Sequence, residues 1–359
     1  MTDDQLMARA LLVAERGRGT TSPNPIVGAV VLDSSGVIVG QGAHRVAGGP
    51  HAEVIALDEA SGRARGGTLY CTLEPCCHVG RTGPCVDRIL SEGVSRVVFA
   101  VPDPNPLVAG GGAKFLRARG IDVVEGIRRD EAVAQNAAFF TWMTARRPYV
   151  TLKAAISADG LMGREGQRVQ LTGAAADRFF HRQRAEVDAI AVGSGTVLAD
   201  DPLLTARGAY RSRPLLRVLF DWRLRIPPTA RVFSTLAEGP VIMVVSAAAT
   251  DNKSGELHAL ERLGITVERR KDRELAPVLR WLGQRDVTTL VVEGGPRLHQ
   301  GFCEAGLVDR VQWIVTPGKL ERGVPMAAGL DHGGLWQRGT PAKVLGPDRL
   351  VEWHVHRTD

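Results

Sequence analysis

The chain has 359 residues, 44% of them hydrophobic, 23% charged and 5% aromatic, with a net charge of +6. That length exceeds one ordinary core and suits two domains, and the composition is that of a folded globular protein rather than a fibrous or disordered one. Few aromatics and scattered arginines argue against a nucleic-acid groove, leaving a solvated surface or sites for a phosphorylated small molecule.

Met1-Thr2-Asp3-Asp4-Gln5 lacks the basic start of a secretion signal, and no apolar run reaches the length of a membrane span. The expectation is a cytoplasmic protein. Thr2 with Gln5 reads as a capping box for a helix striped by Leu6, Ala10, Leu11, Val13 and Ala14. Ser22-Pro23-Asn24-Pro25 breaks that pattern, and strands follow at Ile26–Leu32 and Val37–Gly40 around the turn Asp33–Gly36. Gly48-Gly49-Pro50 leads into a second helix, with Pro50 near its first turn and Val54, Leu57 and Ala60 inward. Thr68–Leu73 reads as a strand and Pro75 as the start of another helix. Strands at Arg96–Val101 and Asp122–Gly126 flank a helix at Ala113–Arg119, so the first half is a mixed α/β sheet with helices on its faces.

The chemistry of this half lies in His51-Ala52-Glu53, Pro75-Cys76 and Cys85. One imidazole and two thiolates make a three-ligand zinc site with a fourth position open to water. The short Cys-x-x-Cys spacing of zinc deaminases is widened here to Cys76-x8-Cys85. The expected helices place both clusters at positive helix ends, which favour thiolate. Zinc lowers the pKa of a bound water towards about 7, and Glu53 is placed to pass that water's proton to the ring and the leaving amine. The ligand set favours zinc by softness, although iron or cobalt fits the same donors. Four of five cysteines fall between Cys71 and Cys85, which suits a metal site in a reducing compartment. Cys71 reads as a buried small hydrophobe, Cys77 as a neighbour of the ligands and Cys303 as structural. His78 reads either as a substrate contact or as a loop cap.

A helical stretch, Glu131–Met143, leads to Arg146-Arg147-Pro148, where the domain boundary is expected, giving domains 1–146 and 147–359. Strands are expected at Tyr149–Ala155, Ala189–Val192, Leu216–Phe220, Val241–Val245, Thr289–Val292, Val311–Val315 and Leu350–His356, the last ones antiparallel. Helical patterns between most of them indicate a doubly wound α/β sheet. Gly193-Ser194-Gly195 and Glu293-Gly294-Gly295-Pro296 sit where strands turn into helices, where bare backbone can approach a pyrophosphate. Neither is a Gly-x-Gly-x-x-Gly fingerprint, so the pattern alone also fits two tight turns.

Thr21–Gly28, Gly48–Glu53, Thr72–Cys76, Gly80-Arg81-Thr82 and Asp103–Pro106 together resemble the deaminase half of the bifunctional riboflavin-biosynthesis deaminase–reductase family. Lys153, Ser157–Gly160, Gly195–Pro202, Leu224–Pro227, Val292–Pro296 and Ala305–Asp309 resemble its reductase half. The resemblance implies a cytidine-deaminase-like N-terminal domain and a dihydrofolate-reductase-like C-terminal one, assembled as a homo-oligomer. It implies deamination of 2,5-diamino-6-ribosylamino-4-pyrimidinone 5-phosphate with Zn2+, then reduction of the ribosyl group to ribityl by NADPH. Carried over by position, Asn24 and His44 line the base or sugar pocket, and Arg81, Asp103 and Asn105 hold ribose and phosphate. Lys153, Arg168, Arg184, Leu204, Arg207 and Glu293 line the second substrate site. Ile156, Gln170, Thr196, Asp200, Ser234 and the Gly295–Gly301 turn (Gly295, Pro296, Arg297, Leu298, His299, Gln300, Gly301) contact NADPH. Val79, Gly83, Ala158 and Gln170 depart from the family's usual His, Pro, Leu and Trp.

Two rival readings remain at this level. One is a nucleic-acid base deaminase with an RNA-binding second half, which the low aromatic content opposes. The other is a deaminase whose second half is a degenerate scaffold, for which Gln170 is the main argument.

Overall fold

The computed structural model describes residues 1–77, 83–105, 109–326 and 343–355. Arg81 and His78 lie outside the described residues. The chain divides into two units, Met1–Arg146 and Arg147–Asp359.

In the first unit Thr2 and Gln5 exchange both bonds of a capping box and start α1 (Asp3–Ala14), whose buried stripe includes every position expected of it. Next come β1 (Gly28–Leu32), β2 (Ile38–Ala43), α2 (Ala52–Ala60), β3 (Thr68–Cys71) and α3 (Cys85–Ser91). Then follow β4 (Arg96–Phe99), α4 (Gly111–Arg117), β5 (Asp122–Glu125), α5 (Arg129–Gln135) and α6 (Ala137–Ala145). The sheet order is β2-β1-β3-β4-β5, with β1 antiparallel to both neighbours and β3, β4 and β5 parallel. A Cβ on Gly28 would lie 2.1 Å from the Ala10 carbonyl of α1, and one on Gly42 would lie 2.1 Å from the Ala52 carbonyl of α2. Gly28 pairs with Ala43, so Gly42 faces the other side of the sheet, and the two helices cover opposite faces.

Three local expectations change. Pro50 leads into α2 as expected and Leu57 and Ala60 point inward, but Val54 is only half-buried, and Ala52, Glu53 and Ala56 join the buried side instead. No helix starts at Pro75, because the chain stays tied to the sheet: the Thr72 amide donates to the Gly28 carbonyl and the Glu74 amide to the Val101 carbonyl, each at 3.0 Å. The stretch from Glu131 breaks at Asn136 (φ −108°, ψ 22°). This buried carboxamide bonds both the Ile26 amide and the Ile26 carbonyl at 2.9 Å, which fixes the end of the Ser22–Pro25 turn.

The second unit contains β6 (Tyr149–Ile156), β7 (Leu161–Gly163), α7 (Ala174–Glu186), β8 (Ala189–Gly193), α8 (Ser194–Asp200), β9 (Leu216–Phe220) and β10 (Val241–Ser246). They are followed by α9 (Ala247–Asp251), α10 (Ser254–Arg262), β11 (Thr266–Arg270), α11 (Leu275–Gly283), β12 (Thr289–Val292), α12 (Pro296–Glu304) and β13 (Arg310–Val315). The last are β14 (Val324–Pro325), β15 (Lys343–Leu345) and β16 (Asp348–His354). The main sheet runs β11-β10-β9-β8-β12-β6-β13-β16-β15. It is parallel from β11 to β13, then antiparallel through β16 and β15. Ala189 and Ala191 join a core with Phe302 and Trp313, while Ile190 and Val192 join another with Val232 and Leu257. Both faces of β8 are therefore buried, as a parallel strand requires. The strand β11, Thr-Val-Glu-Arg-Arg, is absent from the sequence reading because its charges hide the alternation, which an edge position tolerates. Arg147 grips Asp309 with two bonds of 2.6 and 2.7 Å at the start of the unit. No described helix is long and apolar enough to cross a membrane.

In the first unit Arg96 and the Tyr70 hydroxyl bond the Asp3 carboxylate, and the Arg96 guanidinium holds its pKa down to about 2. A depressed carboxyl stabilises above its unfolded pKa and loses that contribution as pH falls through the folded one. Solvent screening at this partly exposed pair limits the effect to about 1 kcal/mol. Asp3→Asn should lower the urea midpoint at pH 7, and the difference from the parent should shrink as pH approaches 2.

Candidate functional site

α2 begins at His51, the residue before its first turn, with φ −74° and ψ 160°. That geometry points the imidazole out of the helix end, while Glu53 in the first turn is 4% exposed. Cys76 comes from the extended segment after β3, and Cys85 is the first residue of α3. Only His51 and Cys85 thus lie at helix starts, and Cys76 does not. The three donor atoms lie within 4.8 Å of one another. His51 Nδ1 is 3.2 Å from Cys85 Sγ and 3.5 Å from Cys76 Sγ, and the Cys85 amide donates to Cys76 Sγ at 3.3 Å. Hydrogen bonds from the Cys85 thiol and then from His51 lower Cys76 well below the usual thiol range, which favours its thiolate, although burial opposes them. The bond to Cys76 raises His51, and burial raises the Glu53 carboxyl. One nitrogen and two sulfurs fit a tetrahedral zinc with one position left over. Cys71 stays a buried thiol, raised by desolvation, and Cys303 is pushed up to about 11 by burial.

The expected substrate residues gather beside these ligands. His44 Nδ1 bonds the Pro50 carbonyl at 3.0 Å, Asn24 Nδ2 lies 3.1 Å from His44 Nε2, and the His44 and His51 rings meet edge-on at 5.6 Å. Burial lowers the pKa of His44, which keeps it neutral. With its Nδ1 proton given to Pro50, its Nε2 accepts from Asn24 and orients that carboxamide. Asp103 accepts the Asn105 amide at 2.8 Å, and its charge is felt at His51. Sequence reading gave no role to Glu74. It is 3% exposed, and the only hint is its place between a strand and Pro75-Cys76. Its carboxylate accepts the amides of Asp103, Gly110 and Ala113 at 3.3, 2.9 and 3.0 Å.

In the second unit β8 and β12 are parallel neighbours, so their glycine turns lie at one edge of the sheet, and the Gly193 amide donates to the Gly294 carbonyl at 3.0 Å. Ligands bind at that carboxyl edge in open parallel sheets. A Cβ at Gly294 or Gly295 would meet Thr196 Oγ1 at 3.5 or 3.3 Å, so a bare cis Gly294-Gly295 backbone lies against that hydroxyl. The edge fits a dinucleotide's pyrophosphate. Beside it Arg184 bonds Glu293 at 2.6 and 2.5 Å and the Thr205 carbonyl at 3.0 Å. Burial alone would raise Glu293, but Arg184 and Lys153 hold it down to about 2. Lys153, its own pKa lowered by burial, lies over the Phe180 ring at 4.3 Å. His181, missed by the sequence reading, takes the Arg207 amide at 3.1 Å and lies 3.2 Å from its guanidinium.

The remaining expected residues are more dispersed. Asp200 is raised by burial, with Arg168 opposing. Arg168, Ser234 and Arg297 are exposed, Leu204 is buried at φ 55°, and Ile156 is wholly buried. Gln170 is exposed and tied to Asp177 at 3.0 Å beside the start of α7. The segment expected as a turn from Gly295 to Gly301 is instead the start of α12, capped by Gly295 with Pro296 first. Leu298 packs on the core, Gln300 bonds Glu304, and Gly301 abuts Leu275. His299 is 0% exposed, bonded to the Val292 carbonyl and set against Trp313, so its ring belongs to the core.

Residues 1–101 match the cytidine and deoxycytidylate deaminase zinc-binding region, and residues 148–325 match the RibD C-terminal domain. Riboflavin biosynthesis protein RibD of Aquifex aeolicus is 40% identical over 323 residues, 90% of this chain and 89% of that one. The chain belongs to the RibD family. The RibD protein of Escherichia coli is 38% identical, covering 92% of this chain and 93% of its own. The Acinetobacter baumannii RibD structure (form 1) superposes with a TM-score of 0.85 at 33% identity over 99% of both chains. A diaminohydroxyphosphoribosylaminopyrimidine deaminase/5-amino-6-(5-phosphoribosylamino)uracil reductase from Thermotoga maritima gives 0.81 at 32% identity over 98% of this chain and 97% of its own. As a RibD, this is a bifunctional deaminase and reductase of riboflavin biosynthesis, with a zinc-binding deaminase domain and an NADPH-dependent reductase domain. Neither rival reading is favoured, because the second half matches a reductase domain rather than an RNA-binding one.

Gly42→Ala should push α2 off the sheet, cost about 2 kcal/mol and lower zinc content, as metal analysis and urea unfolding would show. Glu293→Gln leaves Arg184 buried without its partner charge. It should destabilise the second unit by about 3 kcal/mol or more and depress NADPH oxidation while ammonia release persists.

Proposed function

We propose that the first unit hydrolytically deaminates the 2,5-diamino-6-ribosylamino-4-pyrimidinone 5-phosphate ring. The second unit then reduces the ribosyl side chain to ribityl, giving 5-amino-6-ribitylaminouracil 5-phosphate. The observation that carries this reading is the convergence of His51, Cys76 and Cys85 on one point beside buried Glu53 and the Asn24–His44 pair. The activities named for the Thermotoga maritima relative support the substrate.

His51, Cys76 and Cys85 would hold the metal, which when bound would supply a Lewis acid that brings the pKa of water down to about 7. Glu53 takes a proton from the attacking water, gives it to the ring nitrogen, and carries a second to the departing amine. Burial raises this carboxyl, which brings it closer to the working pH and suits it to both uptake and release. Neutral His44 and the Asn24 carboxamide it orients hold the ring, and Asp103 and Asn105 hold the ribose phosphate, with Arg81 contributing charge.

In the second unit NADPH, when bound, would supply the hydride that C1′ of the opened ribosylamino group takes up as an imine, with one proton from solvent going to the nitrogen. The glycine edge with Thr196 would hold the cofactor's pyrophosphate. Arg184 is occupied by Glu293 and Thr205, so it shapes the pocket, and Arg207, Arg168 and Lys153 are left for the phosphate and the opened sugar. The test follows ammonia release and NADPH oxidation in parallel. Glu53→Gln should retain zinc and lose both signals on the diamino substrate, by about a hundredfold or more, yet oxidise NADPH normally with the deaminated product. Ammonia release without NADPH oxidation by the parent enzyme refutes the reductase assignment, and no ammonia release by zinc-loaded protein refutes the substrate.

A further inference from the structure

Glu74 stands two residues before Cys76, yet its carboxylate accepts backbone amides and is not one of the three converging donors. Its Oε2 accepts the amides of Asp103 at 3.3 Å and Gly110 at 2.9 Å, and its Oε1 accepts Ala113 at 3.0 Å, inside the first turn of α4. Its own amide donates to the Val101 carbonyl at 3.0 Å, so backbone and side chain both grip the chain that leaves β4. The fit leaves no slack: a Cβ on Gly112 would lie 2.0 Å from the Pro75 carbonyl and 3.4 Å from Glu74 Cγ. Asp103 in turn fixes Asn105 by accepting its amide at 2.8 Å. A buried charge that accepts three N–H donors holds its partners far more firmly than neutral contacts do.

We infer that Glu74 is a positioning residue for the deamination step. It locks the Asp103–Asn105 segment, which takes the ribose phosphate, in register with the Pro75-Cys76 segment that carries a metal ligand. The inference rests on the substrate role proposed above for Asp103 and Asn105. A capping residue with only a structural role changes stability. This one sets how well the phosphorylated sugar is held while the ring sits at the metal, so it shows in KM.

The experiment compares full-length Glu74→Gln with the parent enzyme for zinc content, for ammonia release with the ribosyl phosphate and with its dephosphorylated form, and for NADPH oxidation with the deaminated product. Glutamine keeps the shape, but its NH2 must face at least one of the three amides, so the segment shifts. The expected result is a rise in KM of about tenfold or more for the phosphorylated substrate. It comes with kcat changed by less than about threefold, unchanged zinc and unchanged NADPH oxidation, and the preference for phosphate over its absence shrinks. Loss of zinc, or a fall in kcat at constant KM, overturns the inference, because Glu74 then serves the metal segment alone. If Glu74→Gln does not fold, Glu74→Asp decides: it keeps the charge and withdraws it by one methylene, so a raised KM supports the inference and an unchanged KM overturns it. Asp103→Ala and Asn105→Ala separate the two levels. If they raise KM and neither Glu74 variant does, only the positioning role fails. If they leave KM unchanged, the substrate reading of that segment has failed.

Discussion

The deaminase site depends on how closely α2 lies against β2. Gly42 brings the helix backbone within a distance that no Cβ would allow, and the start of that helix carries both His51 and Glu53. A helix held at side-chain distance would place the imidazole away from Cys76 and Cys85, whose own positions are set by β3 and α3. Burial of Glu53 follows from the same contact, and that burial raises its carboxyl above the ordinary value.

The second unit solves a different electrostatic problem. Its carboxyl edge must stay open for ligands, yet it buries Glu293, Arg184 and part of Lys153 there. The ion pair is bidentate, and Arg184 finds a further acceptor at Thr205, which is the arrangement that lets buried charges repay their desolvation. The bare backbone of Gly294-Gly295 and the hydroxyl of Thr196 lie immediately beside this cluster. The Arg184–Glu293 pair and the bare glycine backbone thus meet at the carboxyl ends of the adjacent strands β12 and β8.

Much of this was legible in the residues. The capping box at Thr2 and Gln5, the strand alternation and the α/β character of both halves each rest on local pattern or on residue chemistry. Other features depended on partners distant in sequence. The helix expected at Pro75 is absent because Thr72 and Glu74 bond Gly28 and Val101. The helix from Glu131 breaks because Asn136 is drawn to Ile26. The segment from Gly295 to Gly301 lost its reading as a turn once α12 carried His299 into the core.

By itself the sequence determined the two-domain α/β organisation, the zinc chemistry of one imidazole and two thiolates, and the family, since these follow from residue types and short spacings. Only the tertiary structure decided what the two buried carboxylates touch. Glu53 and Glu74 are both buried, but one faces the ligands and the other accepts three backbone amides. It also decided that Arg184 is committed to Glu293. Such assignments depend on which donors a fold brings within hydrogen-bonding reach across many residues, and no local pattern encodes that.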